Sequence, residues 1–370
     1  MIYFDHNATT PADDRVLEAM LPYLKSFYGN PSSLYRHGRI ARSAIDGARE
    51  QIAALVDAPP ASQIVFTSGG TESNALALAI LPPQGKLAIS AIEHPSITEP
   101  AQRLKSLGAT LNTLKVDANG LVNQATIDEL IKSQPDLVSI MLANNETGGV
   151  QDLAPYAKTL RANAITVHTD AVQAVGKIPV SFSQLGVHLM SLSSHKIYGP
   201  KGCGALIFEK SLAINPLFLG GGQERGLRAG TENVAAIVGF GKAAELAKAE
   251  LTHRHNHLLA LRELLEAGLS TIPGLTIFAQ QADRLPNTVQ FGIPGIDGEM
   301  LLMKLDKKNT AVSSGSACAS GGSVPSPVLI AMGIESSLAK SAIRISLGAA
   351  NTKSEIFEFI NQLKTLVCQV

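Results

Sequence analysis

Between residues 63 and 208 the chain repeats one unit: a short apolar, β-branched run, a polar residue at its end, and then apolar positions at helical spacing. The runs are QIVFT, KLAISAI, LVSIML, ITVHTD and the pair around SLSSHKIYGPKGCGAL, and alanine- and leucine-rich segments separate most of them. Parallel strands cannot be joined by a tight turn and need a crossover, usually a helix. Alternation at this spacing therefore specifies an α/β domain with a mainly parallel sheet and right-handed connections. A parallel sheet brings its strand ends to one edge, where side chains face a shared crevice. Thr71, His94, Asn145, Asp170 and Lys196 follow five separate runs, and Gln173 lies about one helical turn beyond Asp170.

Taken singly, each of these residues admits a plain reading as well as a chemical one. Ser68-Gly69-Gly70-Thr71 opens a helix whose free first-turn amides attract anions, yet many such turns bind nothing. His94, before Pro95, is either a ligand-facing or a merely satisfied corner histidine, and Pro100 is expected to distort or delay the helix that follows. Lys196 sits in a Tyr-Gly-Pro-Lys-Gly turn and is either a surface lysine or a reactive amine with a lowered pKa. Together with Asp170 the lysine acquires a specific meaning. A strand-end amine and a strand-end carboxylate are what pyridoxal 5'-phosphate requires, the amine for its aldehyde and the carboxylate for its pyridine nitrogen.

Beyond this region, GGGQERGLRAGTEN (220–233) carries Arg225, Arg228 and Thr231 among glycines and reads as either a flexible linker or an anion site. A long helix is expected from Val234, and the histidines of HRHNH, two apart and so on different faces, are expected to be solvated. Residues 271–370 change to an α+β pattern with strands in LTIFA, TVQFGI and AIRISLG. Within it, TAVSSGSACASGGSVPSP places Cys318 on a Ser/Gly-rich stretch, expected to be mobile and exposed, the setting for nucleophilic or redox chemistry. Cys203 and Cys368 read as structural.

With 370 residues the chain is expected to split into two domains. Its 31 basic and 31 acidic residues cancel, so no electrostatic field favours nucleic acid or membrane. Three widely spaced cysteines give neither a disulfide framework nor a metal site. Neither a signal segment nor an apolar run of about 18 residues is seen, so a soluble, cytoplasmic protein is expected.

The ordered set FDHNATTP, GNPSS, VFTSGGTESN, EHP, NNETG, HTDAVQAVGK, SSHKIYGPKG, GGGQERGLRAGT, SSGSACAS and IRISLG resembles the pyridoxal phosphate-dependent cysteine desulfurases of the NifS/IscS type. The likeness runs from residue 3 to about residue 350. It implies the fold-type I transferase scaffold: a strap over 1–12, a large domain with a seven-stranded-type sheet over 13–255, and a small α+β domain over 256–370. It also implies a homodimer that takes sulfur from L-cysteine, leaves L-alanine, and passes the sulfur to an acceptor such as an iron-sulfur scaffold. By resemblance, Lys196 would hold the cofactor, Asp170 would pair with its pyridine nitrogen, His94 would stack on the ring, and Asn145 and Gln173 would contact its oxygen side. Gly70, Thr71, Ser193 and His195 would form the phosphate site, with Thr231 from the partner subunit. Arg344, helped by Asn7 and Asn145, would bind the substrate carboxylate, and Cys318 would be the nucleophile that becomes a persulfide. His94 is expected to carry the proton of the substrate thiol. The same scaffold serves cystine and selenocysteine lyases, and a sulfur carrier without catalysis would keep the fold alone.

Overall fold

The computed structural model describes residues 1–58, 60, 63–314 and 324–367. Strands β1 (Ile2–Tyr3), β2 (Ile64–Thr67), β3 (Lys86–Ser90), β4 (Thr110–Leu114), β5 (Leu137–Ser139), β6 (Thr166–Asp170), β7 (Leu189–Ser193) and β8 (Gly204–Phe208) occupy the first part of the chain. Seven of them form one sheet in the order β2-β8-β7-β6-β5-β3-β4. The pairs β7–β6, β6–β5, β5–β3 and β3–β4 are parallel, while β8 runs antiparallel to both β7 and β2. The expected mainly parallel α/β sheet is thus borne out.

Both faces of this sheet are covered, which is why its strands read as nearly continuous apolar runs. Because side chains alternate along a strand, Phe66, Ala88, Val138, Val167, Met190 and Ile207 enter one core with residues of helices Arg36–Leu55, Gln124–Ser133, Leu153–Ala162 and Val234–Ala249. Val65, Leu87, Ile89, Leu137, Leu189 and Leu206 enter the opposite core with helices Gly70–Leu78 and Pro95–Ser106. Each fully buried aliphatic side chain of this kind contributes about 1.5–3 kcal/mol. The close fit also explains Gly204, where a Cβ would lie 2.6 Å from the Gly69 backbone. That contact seats the 68–70 turn directly on β8.

Strands β9 (Thr276–Ile277), β10 (Thr288–Gly292), β11 (Thr310–Ala311), β12 (Ser313–Ser314) and β13 (Ile343–Ser346) follow. Four of these form an antiparallel sheet in the order β12-β13-β10-β9. Its core joins Val289, Phe291, Ile343 and Ile345 to Leu261 and Leu265 of helix Leu251–Leu269 and to Phe359 and Leu363 of helix Lys353–Val367. Ile2 and Phe4 belong to the same core, and β1 pairs in parallel with β11. The N-terminal strap is therefore anchored on the C-terminal part of the chain before it crosses to the large sheet.

Several local expectations change. Helix Pro95–Ser106 continues through Pro100, since a proline deletes one backbone hydrogen bond and packing of Ile97 and Ala101 sustains the rest. The helix from Val234 breaks at Glu250 (φ −102°, ψ 5°) and restarts as Leu251–Leu269. Of the HRHNH histidines only His253 is exposed: the His255 ring contacts the Lys177 carbonyl at 3.1 Å, and the His257 ring contacts that of Asn351 at 3.1 Å.

The 220–233 segment is not a flexible linker, and its arginines are engaged within the chain. Glu224 and Arg225 adopt left-handed conformations (φ 46° and 60°), which cost of order 1–3 kcal/mol each in non-glycine residues. They are over-determined by a buried pair: Arg49 donates to both Glu224 carboxylate oxygens at 2.7 and 2.8 Å, and Phe66 N donates to Glu224 Oε2 at 2.8 Å. Arg225 donates to the Ile64 carbonyl at 2.6 Å, and Arg228 pairs with Glu72 at 3.0 Å. Among the described residues, no helix is long and apolar enough to cross a membrane.

Candidate active site

The C-terminal ends of β2, β3, β5, β6 and β7 open onto one cleft of about 240 Å³. Gly70, Thr71, His94, Asn145, Asp170, Gln173, Ser193, His195 and Lys196 all line it, as the convergence of strand ends requires. Asn74, Ser96, Met141 and Val172 complete the lining. Arg344, Asn7 and Thr231 do not line it, and Cys318 lies outside the described residues.

One end of the cleft suits an anion. Gly69 (φ 157°, ψ −177°) takes a backbone conformation open essentially to glycine alone, and helix Gly70–Leu78 starts immediately after it. Glu72 stiffens the turn by accepting from Ser68 N at 2.7 Å while held by Arg228 at 3.0 Å. Beside Gly70, the buried Ser193 hydroxyl has no hydrogen-bond partner among the described residues. First-turn amides plus an unspent hydroxyl are donors without an acceptor, and a phosphate group supplies one. Burial, with Lys196 and Lys201 nearby, pushes the His195 imidazole down to about 4, so it is neutral at pH 7; its Nδ1 lies 3.1 Å from the Thr9 hydroxyl.

Asp170 ends β6 and Lys196 lies in the one-turn 3-10 helix Ser194–Lys196 that follows the neighbouring strand β7. Asp170 is 6% exposed and accepts from Val172 N at 2.9 Å and from Asn74 Nδ2 at 2.7 Å. Lys196 Nζ donates to the carbonyls of Asn7 at 2.5 Å and Ala8 at 2.8 Å. Gln173 Nε2 donates to the Asn7 carbonyl at 2.9 Å and its Oε1 accepts from Lys177 Nζ at 2.7 Å, which leaves one amide hydrogen unspent among the described residues. The Asn145 side-chain amide is likewise uncommitted there, while its carbonyl accepts from Asn7 and Arg344, each at 3.1 Å. An aromatic aldehyde phosphate, with one ring nitrogen and one ring oxygen, matches this donor and acceptor set.

Two buried groups behind the cleft escaped the sequence reading. Lys177, fully buried, is pushed well below the usual lysine range, first by burial and then by Lys196 and Arg344. It follows Gln173 by four residues, and that spacing was the available signal. Glu93 is pushed up to about 8 by burial, reinforced by the charge of Asp170, and it accepts from Ser90 Oγ at 2.6 Å and Met141 N at 2.7 Å. Asn74 lay equally within reach of a pattern reading, three residues after Thr71 in the helix that opens the cradle.

Asn7, expected to help in substrate binding, is engaged within the protein. It is 1% exposed, its Nδ2 donates to Asn145 O at 3.1 Å and Thr288 Oγ1 at 2.9 Å, and its Oδ1 accepts from Lys177 at 3.0 Å and Asn287 at 3.1 Å. Among the described residues its side-chain donors and acceptor are thus engaged, and Asn7 ties the strap and β10 to Lys177, Gln173 and Lys196. Arg344, on β13, pairs with Asp5 at 2.7 Å, yet its buried Nε has no partner among the described residues, an unspent charged donor next to Asn145. Cys203 is buried, and burial pushes its thiol far up, so it is inert as a nucleophile.

Comparison with known proteins agrees with this geometry. The family described as Aminotransferase class-V matches residues 2–359. The chain is 42% identical to a protein of Dictyoglomus turgidum named cysteine desulfurase IscS, over 99% of this chain and 94% of that one. Among solved structures, a NifS-like protein superimposes with a TM-score of 0.93 at 37% identity, covering 100% of both chains. SspA, solved in complex with cysteine, superimposes with a TM-score of 0.82 at 31% identity over 94% of this chain and 99% of that one. By its sheet, its cleft and these full-length matches, the chain belongs to the class-V aminotransferase family of pyridoxal phosphate-dependent enzymes.

Proposed function

We propose that this protein is a cysteine desulfurase that removes sulfur from L-cysteine, releases L-alanine and holds the sulfur as a persulfide on Cys318. The observation that carries the reading is the pairing, across one cleft, of a strand-end lysine with a strand-end carboxylate in a chain whose full-length relatives bear that name. When bound, pyridoxal phosphate supplies an electron sink that makes the substrate's Cα–H and Cβ–S bonds breakable.

The chain's own residues supply the rest. Lys196 would hold the cofactor at its aldehyde carbon and supply the amine that carries the substrate Cα proton; Asp170 would face the pyridine nitrogen and keep it protonated. Gly70, Thr71, Ser193 and His195 would take its phosphate, Gln173 and Asn145 would donate to its ring oxygen, and His94 would stack on the ring. Arg344 takes the substrate carboxylate with its unspent donors. Cys318 thiolate attacks the substrate sulfur: a C–S bond breaks and an S–S bond forms. One thiol plus one cysteine gives one persulfide plus one alanine, with no external oxidant or reductant. The described flanks of the Cys318 segment support its delivery here, since Ser313 pairs with Arg344 and Ser326 donates to Glu146, the neighbour of Asn145, at 2.6 Å.

A second copy of the chain completes the site. Thr231 is exposed and does not line its own cleft, and Phe218 and Leu219, 52% and 86% exposed, line a surface hollow with it, which suits a subunit interface. We place the enzyme in the cytoplasm, where a thiol nucleophile stays reduced, with an iron-sulfur scaffold or similar protein as sulfur acceptor. Incubation of the purified protein with L-cysteine is expected to yield alanine and a persulfide on Cys318. Pyruvate in place of alanine would assign a lyase, and no turnover would refute an enzyme.

A further inference from the structure

His94 is the N-cap of helix Pro95–Ser106, with φ −67° and ψ 151°, and it caps through its ring. Ser96 N donates to His94 Nδ1 at 3.1 Å. A backbone amide can only donate, so Nδ1 carries a lone pair and no hydrogen. A second donor meets the same atom, because the Ser96 hydroxyl lies 2.8 Å from it. The direction of that contact is set from behind: Asn74 Nδ2 donates to Ser96 Oγ at 2.8 Å and to Asp170 Oδ2 at 2.7 Å. The amide must turn its NH₂ towards the carboxylate, and does so although its Oδ1 is left buried without a partner among the described residues. The hydroxyl, having accepted from Asn74, spends its own hydrogen on Nδ1.

We propose that Asn74 and Ser96 are positioning residues that fix His94 as the Nε2–H tautomer, so that the resting imidazole offers the cleft a hydrogen-bond donor and not a base. Burial keeps that imidazole neutral, as do Lys196 and Arg344, against the opposing pull of Asp170. A neutral ring with its hydrogen on Nε2 can stabilise a substrate thiolate but cannot accept the thiol's proton at that nitrogen. It could accept at Nδ1 only by giving up the helix cap and the Ser96 bond. The expectation that His94 takes up the thiol proton is thereby replaced, and the Asp170 carboxylate is linked to His94 by a directed chain of three hydrogen bonds.

The inference deepens the desulfurase reading and rests on it for the word substrate, but its test does not need turnover. The full chain, labelled with ¹⁵N-histidine, is examined by long-range ¹⁵N–¹H correlation with and without bound pyridoxal phosphate, His94 being assigned through His94→Gln. A single Nε2–H tautomer is expected in both forms; Nδ1–H, or an even mixture, would overturn the proposal. In Asn74→Ala the two ring-nitrogen resonances should move towards their average, and kcat/KM for L-cysteine should fall about tenfold through kcat, a part of the roughly 10²–10³ that one preorganised donor to a developing negative charge supplies. An unchanged His94 spectrum in Asn74→Ala would remove Asn74 from the device and defeat the proposal. Ser96→Ala, which keeps the backbone donor, serves the same comparison if Asn74→Ala does not fold. A wild type with the expected tautomer but no alanine production would instead refute the desulfurase reading alone.

Discussion

Replacing Lys196 by alanine is expected to lower alanine formation from L-cysteine by about three orders of magnitude or more, the scale of loss when a covalent catalytic group is deleted. The size of the effect follows from the cleft. Lys196 is the one lysine among its described lining residues, and it stands on the turn that directly follows the strand next to Asp170. Lys177 cannot deputise, because both of its hydrogen bonds run to Asn7 and Gln173 and it does not line the cleft. The variant should still fold, since Lys196 contributes no apolar packing to either core cluster. It should also lose the yellow colour of lysine-bound cofactor while keeping a cooperative thermal transition. Residual activity within tenfold of wild type would assign the chemistry to another group.

Cys318→Ala is expected to be as damaging to desulfuration, yet to leave the cofactor bound. Cys203 is too deeply buried to replace the missing thiol. With Cys318 as the acceptor of the substrate sulfur, its loss should leave neither alanine nor a persulfide on that segment. The visible spectrum of the bound cofactor should match wild type, and L-cysteine should still perturb it. Undiminished sulfide release, with pyruvate as product, would show that elimination rather than thiol attack breaks the C–S bond.

The parts of the site legible in the sequence were those fixed by backbone topology. Thr71, His94, Asn145, Asp170 and Lys196 could be placed together because each ends an apolar run, and a parallel sheet leaves such ends only one edge to occupy. What surrounds them depends on side-chain directions that period and propensity do not encode. Asn74, Ser96 and Lys177 are buried polar residues on helices or turns, and only coordinates reveal which acceptors they meet. Asn7 shows the same limit in reverse. Its motif placed it near the cleft correctly, but its hydrogen bonds are all committed to the protein. The glycines of the 220–233 segment left a flexible linker and an anion site equally open, whereas the Arg49–Glu224 pair, 175 residues apart in sequence, helps fix its shape. Long-range ionic pairing of that kind has no local signature.

At the centre of the account stands the claim that the cofactor is joined to Lys196. Borohydride reduction of the cofactor-loaded protein, followed by proteolysis and mass spectrometry, tests it most directly. The reduced pyridoxyl group is expected on the peptide containing Lys196; its recovery on Lys177, or on no lysine at all, would contradict the account.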